Sequence, residues 1–310
     1  MLTRAARQLL LFLALPLSAA PTAAADIAYV THPPADALVV DARPLDRCAA
    51  ASLAGARCLP ADEIAGPHGR LANFRDILWF FGTAGLTGAE HVLVVGEGHQ
   101  DRDFMAGVLF LAGQRQVSVL IVPPGRLADS PGSAKSTTRT AVYQMPMRDT
   151  LMLTTRELAD ASGVPLLDGR DDREYWGEQV RAARGGHVAG ADNLPAAEVR
   201  AALANHGALP PLPADPVAYA HDPRASVAYF ALLRAAGVAA RVYVDGWKAW
   251  AADPALPVDA LSFPDHAPAL VAPPPAPGPA PWPLILAGAA VGLLVGSGGA
   301  AVALRRRRWN

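Results

Sequence analysis

One short pattern occurs twice in this chain, a domain's length apart, and it restricts the fold more than any other feature. The first copy runs Val39-Val40-Asp41-Ala42-Arg43, then Leu53-Ala54-Gly55-Ala56-Arg57-Cys58-Leu59-Pro60. The second runs Leu166-Leu167-Asp168-Gly169-Arg170, then His187-Val188-Ala189-Gly190-Ala191-Asp192-Asn193-Leu194-Pro195. Each predicts a buried strand ending in Asp-x-Arg, a short helix, a Gly-Ala turn and a Leu-Pro exit. Asp41 and Asp168 lie 127 residues apart, a period that signals duplication of a domain and not a solenoid. The 310 residues suit two domains of roughly 110 residues with extensions at both ends.

Strand and helix signals alternate through both halves. In the first, residues 26–127, strands are predicted at 37–41, 91–95 and 117–122, and helices at 44–51, 73–84 and 102–112. Residues 128–150, rich in Ser, Thr, Gly and Pro at first, read as a linker. In the second half, residues 151–258, a helix starts near Thr155 with Thr154 or Thr155 as its cap. Strands follow at 166–168, 217–220 and 242–244, with an apolar helix at 224–236. Such alternation predicts an α/β fold in which each half is a mainly parallel sheet flanked by helices. Ligands of such sheets sit beyond the carboxyl ends of strands, here the loops after Val95 and Ala220.

The repeated elements resemble the rhodanese (sulfurtransferase) superfamily in its tandem two-domain form. The resemblance extends to the far end of the second half. There Val217 to Ala220 leads through His221-Asp222-Pro223-Arg224-Ala225-Ser226 into a helix, and Arg241-Val242-Tyr243-Val244-Asp245-Gly246-Trp247-Lys248-Ala249-Trp250 looks like the family's closing strand and turn. It covers residues 30–255 and is more specific in the second half than in the first.

The resemblance implies a sulfur carrier whose chemistry rests on a Cys at the start of the strand-to-helix loop. The thiolate becomes a persulfide, held by loop amides and the helix N-terminus. In this chain Ala220 stands at that place in the second half, or Tyr219 in an alignment shifted by one. In the first half the position falls near Gly96. Without a thiol there, sulfur cannot be stored on sulfur, which predicts a pseudoenzyme. His221, Asp222, Arg224, Ala225 and Ser226 remain as a candidate anion-binding loop; alternatively Asp222 only caps the helix, Pro223 opens its first turn and His221 is solvated.

In the family Asp41, Arg43, Asp168 and Arg170 look structural, tying strand ends to loops by charge-assisted hydrogen bonds. His187 reads as a turn-orienting residue. The chain's two cysteines, Cys48 and Cys58, fall in neither loop. In an exported protein an even count suggests a disulfide; a redox pair or a displaced sulfur acceptor is the rival reading. No metal-ligand cluster and no cofactor motif is present in the sequence.

Both ends carry targeting signals. Arg4 and Arg7 precede the apolar run Leu9–Leu17, and Ala23-Ala24-Ala25 offers a cleavage site, so residues 1–25 read as a signal peptide, with an uncleaved anchor as alternative. Residues 259–283 form a Pro/Ala-rich spacer. Residues 284–304 hold no charge and are long enough to span a bilayer, and Arg305 to Arg308 place the tail, 305–310, in the cytoplasm. Processing of that tail is the alternative. Gly288, Gly292 and Gly296 permit close helix pairing or merely fill the span.

The expected partners are thus a membrane, a periplasmic protein and a small oxyanion. A net charge of −1 offers no footprint for nucleic acid. The expected role is a non-catalytic, periplasmic binding module on a C-terminal anchor. The alternatives are a divergent sulfurtransferase or carrier using Cys48 or Cys58, and an oxyanion receptor at the 220–226 loop.

Overall fold

The structure is a computed structural model that describes residues 26–65, 70–122 and 129–260. The first half contributes β1 (Ile27–Val30), β2 (Leu38–Asp41), β3 (Arg57–Cys58), β4 (His91–Val95), β5 (Gln116–Leu120) and β6 (Ser133–Ala134). They form one parallel sheet in the order β1-β5-β4-β2-β3-β6. The second half contributes β7 (Met152–Leu153), β8 (Leu166–Asp168), β9 (His187–Val188), β10 (Ala191–Asn193), β11 (Val217–Tyr219), β12 (Arg241–Tyr243) and β13 (Val258–Asp259). Five of these form a parallel sheet in the order β10-β8-β11-β12-β7, and β9 pairs antiparallel with β13. Read from the β1 and β7 edges, the two sheets share one strand order, with β6 as the extra strand of the first.

Helices flank both sheets, as the α/β alternation predicts. They are α1 (Leu45–Ala50), α2 (Phe74–Thr83), α3 (His99–Leu111), α4 (Thr155–Asp160), α5 (Asp172–Tyr175), α6 (Ala196–Asn205), α7 (Pro223–Ala235) and α8 (Gly246–Ala252). Local chemistry sets their starts. Asn73 accepts the amide of Asp76, Thr154 and Glu157 form a reciprocal capping box, and Asp222 accepts the amide of Ala225.

The long helices α3 and α7 are apolar on nearly every face because they pack on each other between the sheets. Gly107 lies where a Cβ would stand 2.6 Å from the Val227 carbonyl oxygen, and the Phe110 and Phe230 rings lie 6.0 Å apart. One continuous apolar cluster therefore runs from Val40 and Phe104 in the first half to Val227 and Val242 in the second.

Sequence reading missed β1, β3, β6, β7, β9, β10 and β13, all of four residues or fewer, and the helices α6 and α8. It also took residues 128–150 for a linker. Residues 129–150 instead run as a strap along the first half: Thr140 and Ala141 amides donate to the Gly82 carbonyl, Gln144 to Thr87 and Arg148 to Leu111. Tyr143 is buried against Phe81 at 5.6 Å between ring centroids. The first residue of the predicted spacer, Asp259, belongs to β13. Among the described residues no helix is long and apolar enough to cross a membrane. The predicted signal peptide 1–25, span 284–304 and tail 305–310 lie outside the described residues.

Candidate functional site

The two Asp-x-Arg elements are built alike. Arg170 donates its backbone N–H and Nε to Asp168 Oδ1 at 2.9 and 3.0 Å, and Nη2 to Oδ2 at 2.5 Å. Its Nη2 also reaches the Gly186 carbonyl, and the guanidinium stacks 4.6 Å from the Trp247 ring. Arg43 repeats this on Asp41, with Ser52 Oγ and the Ala51 carbonyl as further partners. All four residues are buried, so these pairs brace the strand ends. His187 is buried too; its Nδ1 meets the Tyr175 carbonyl at 3.0 Å and its ring stacks on Tyr175.

Beyond β11 the chain turns tightly into α7. The Ala220 amide donates to Ser226 Oγ at 3.0 Å, Ala225 N–H to Asp222 Oδ1 at 2.9 Å, and Ser226 N–H to the Asp222 carbonyl at 2.8 Å. The Ala220 and His221 carbonyls accept the amides of Trp247 and Lys248. Gly246, at φ +71°, is required there: a Cβ would meet the Ala220 oxygen and Asp222 carbon at 3.0 Å.

The loop thus satisfies much of its own polarity, and its cations are taken. Arg224 pairs with Asp62 at 2.6 Å and Asp101 at 2.7 Å, both from the first half. The Arg224 guanidinium, expected to hold an oxyanion, meets these two carboxylates, while its buried Nε has no hydrogen-bond partner among the described residues. His221 is not simply solvated; its Nδ1 bonds Glu174, which also pairs with Arg170 at 3.4 Å and Arg181 at 3.2 Å.

Beside the loop lies a cavity of about 210 Å³ lined by Arg170, Glu174, Arg181, Arg200, His221 and Tyr229. Burial pushes the Glu174 carboxyl up, but His221, Arg170 and Arg181 outweigh it and hold it below the usual carboxylate range. The unfolded chain therefore binds a proton here that the folded chain resists. This contribution to stability is complete above the free-glutamate value of 4.5 and is lost as pH falls through the lower folded value. Glu174→Gln is expected to lose about 1–3 kcal/mol at pH 7. Urea midpoints of parent and variant should converge as the pH drops below 4.5. A gap that stayed constant with pH would contradict the ionic role.

No thiol stands in either strand-to-helix loop. Ala220 closes the second, and Gly96 to Gly98 precede α3 in the first. Cys48 on α1 and Cys58 on β3 are joined by a disulfide with Cα atoms 5.8 Å apart, and both are fully buried. Closing this short loop contributes roughly 2–3 kcal/mol in the chain-entropy picture.

Residues 154–253, from the α4 cap to the end of α8, match the family model of the rhodanese-like domain. The chain contains a rhodanese-like domain. Over 74% of its length the chain is similar to a structure described as a probable thiosulfate sulfurtransferase, at 27% identity and a TM-score of 0.55, covering 99% of that chain. A variant of EanB in complex with ergothioneine is similar at 18% identity and a TM-score of 0.58, over 74% of this chain and 66% of that one. The Tum1 protein from Saccharomyces cerevisiae is similar at 15% identity and a TM-score of 0.58, over 72% of this chain and 91% of that one. The last two share the fold alone. No curated protein matches the chain.

Within the rhodanese-like domain, sequence reading found His221 and Arg224 but missed Glu174, Arg181 and Tyr229. Glu174 had a signal: it stands four residues after Arg170, the spacing of a helical ion pair. Arg181 and Tyr229 had none, since only the tertiary fold brings them to the cavity.

Proposed function

We propose that this chain is a tandem rhodanese-like pseudoenzyme that binds a partner and transfers no sulfur. Its place is the outer face of a membrane, exported by residues 1–25 and held by the apolar run 284–304. One observation carries the reading. The loop that closes β11 begins with Ala220, and the chain's two cysteine sulfurs are joined to each other elsewhere. Persulfide chemistry requires a thiolate at the attacking position, and no other side chain here can store sulfur. The shared strand order of the two sheets supports the tandem organisation. A disulfide buried in the first half suits an oxidising compartment.

The test is thiosulfate:cyanide turnover by purified protein, as isolated and after reduction. The expected result is no thiocyanate above the protein-free rate in either state. Turnover that persists in the Cys48→Ser/Cys58→Ser double variant would overturn the reading. Turnover abolished by that double variant would overturn it too, and would assign a carrier role to those cysteines.

A further inference from the structure

A second and larger cavity, of about 830 Å³, opens on the other side of α6, at the end of β1 and the first turns of α3. Its size is in the range of small-molecule sites. One wall is apolar: Ala197, Ala201 and Ala204 present a single face of α6, and Ile121, 36% exposed, faces them from the end of β5. Arg102 of α3 and Arg200, beside those alanines on α6, complete the charged part of the lining.

These charges do not balance. Behind them, fully buried Asp103 accepts Tyr29 Oη at 2.7 Å and Arg200 Nη2 at 3.2 Å, and lies 3.5 Å from Arg102 Nε. Arg102 is 4% exposed, with Nη1 on the Leu120 carbonyl and Nη2 on His99 Nδ1, yet its Nε has no hydrogen-bond partner among the described residues. Nε of Arg200 is also buried and unpartnered. Two guanidinium groups thus share one carboxylate, and both line the cavity, which leaves it a net positive charge. The histidines around the cavity do not make it a metal site: among the described residues no group of His, Cys, Asp and Glu is placed to hold an ion.

We propose that this cavity binds a small organic monoanion, a carboxylate or sulfonate on an apolar body. The acid group meets Arg102 and Arg200, and the body lies along the alanine face of α6. The cavity shares Arg200 with the smaller one beside the Ala220 loop but takes the rest of its lining from other residues, and the proposal stands whether or not the protein transfers sulfur.

Isothermal titration of the full-length protein in detergent with octanoate, octanol and acetate tests this directly. Octanoate is expected to bind saturably at one per chain, and octanol and acetate at least about tenfold more weakly, the size of one charge-assisted contact or of the apolar body. Ala201→Trp fills the cavity from an exposed helix position. It is expected to weaken octanoate at least about tenfold while leaving the urea midpoint unchanged. Arg102→Gln should remove the preference for octanoate over octanol. Octanoate failing to bind, octanol binding equally well, or Ala201→Trp binding like the parent would each overturn the proposal.

Discussion

Asp168→Ala is expected to destabilise the protein by about 3–5 kcal/mol, the cost of stranding a buried partner of opposite charge. Asp168 is fully buried and takes every short contact that the Arg170 guanidinium makes to a carboxylate, together with the Arg170 backbone amide. Its removal leaves Arg170, itself 4% exposed, with the distant Glu174 carboxylate, one carbonyl and the Trp247 ring face. The built-in contrast is Asp160→Ala. That carboxylate pairs with Arg156 at 3.8 Å, but their side chains are 76% and 91% exposed. Exposed pairs of this kind contribute at most about 1 kcal/mol. Urea unfolding of both variants measures the difference. Equal losses would show that Asp168 does not brace the second sheet.

Gly107→Leu is expected to cost about 3 kcal/mol, the upper end of what overpacking a tight core does. The nearest obstacles to a Cβ at 107 are the Val227 carbonyl oxygen at 2.6 Å and Val227 Cγ1 at 2.7 Å. The first is backbone within α7 and cannot rotate away, so the helices must separate. Gly98→Leu is the control: a Cβ there meets nothing within 4 Å. Because α3 belongs to the first half and α7 to the second, wedging them apart tests whether the halves melt together. A single cooperative transition in the parent that splits or shifts down in Gly107→Leu is the expected calorimetric record. An unchanged transition would mean that this crossing is not tight in solution.

Much of the architecture can be read from the chain because its signals are local. Runs such as Val92-Leu93-Val94-Val95 mark central strands that are apolar on both faces. Pro223 behind a capping Asp222 marks a helix start. Both parallel sheets and the Asp-x-Arg braces follow from such signals. Edge strands are harder. Ile27 to Val30 is only four residues long, and β6 and β7 have two each, too few for a period to show. Residues 129–150 misled for another reason: their Ser, Thr and Gly content looks like a spacer, while their backbone groups dock onto carbonyls at the ends of α2 and α3. The partners of the site residues are hidden for a similar reason. Arg224 looks free in sequence, because Asp62 and Asp101, which neutralise it, lie more than a hundred residues upstream. Ion pairs across that distance leave no spacing to recognise.

That upstream clasp bears on what counts as a heritable unit here. The family signature begins at residue 154, yet the first turn of α7 is anchored by carboxylates outside it and its buried face rests on α3. Cut at the signature's border, the C-terminal half would carry an unneutralised arginine and a bare apolar helix into water. The recognisable module and the packed one therefore have different borders.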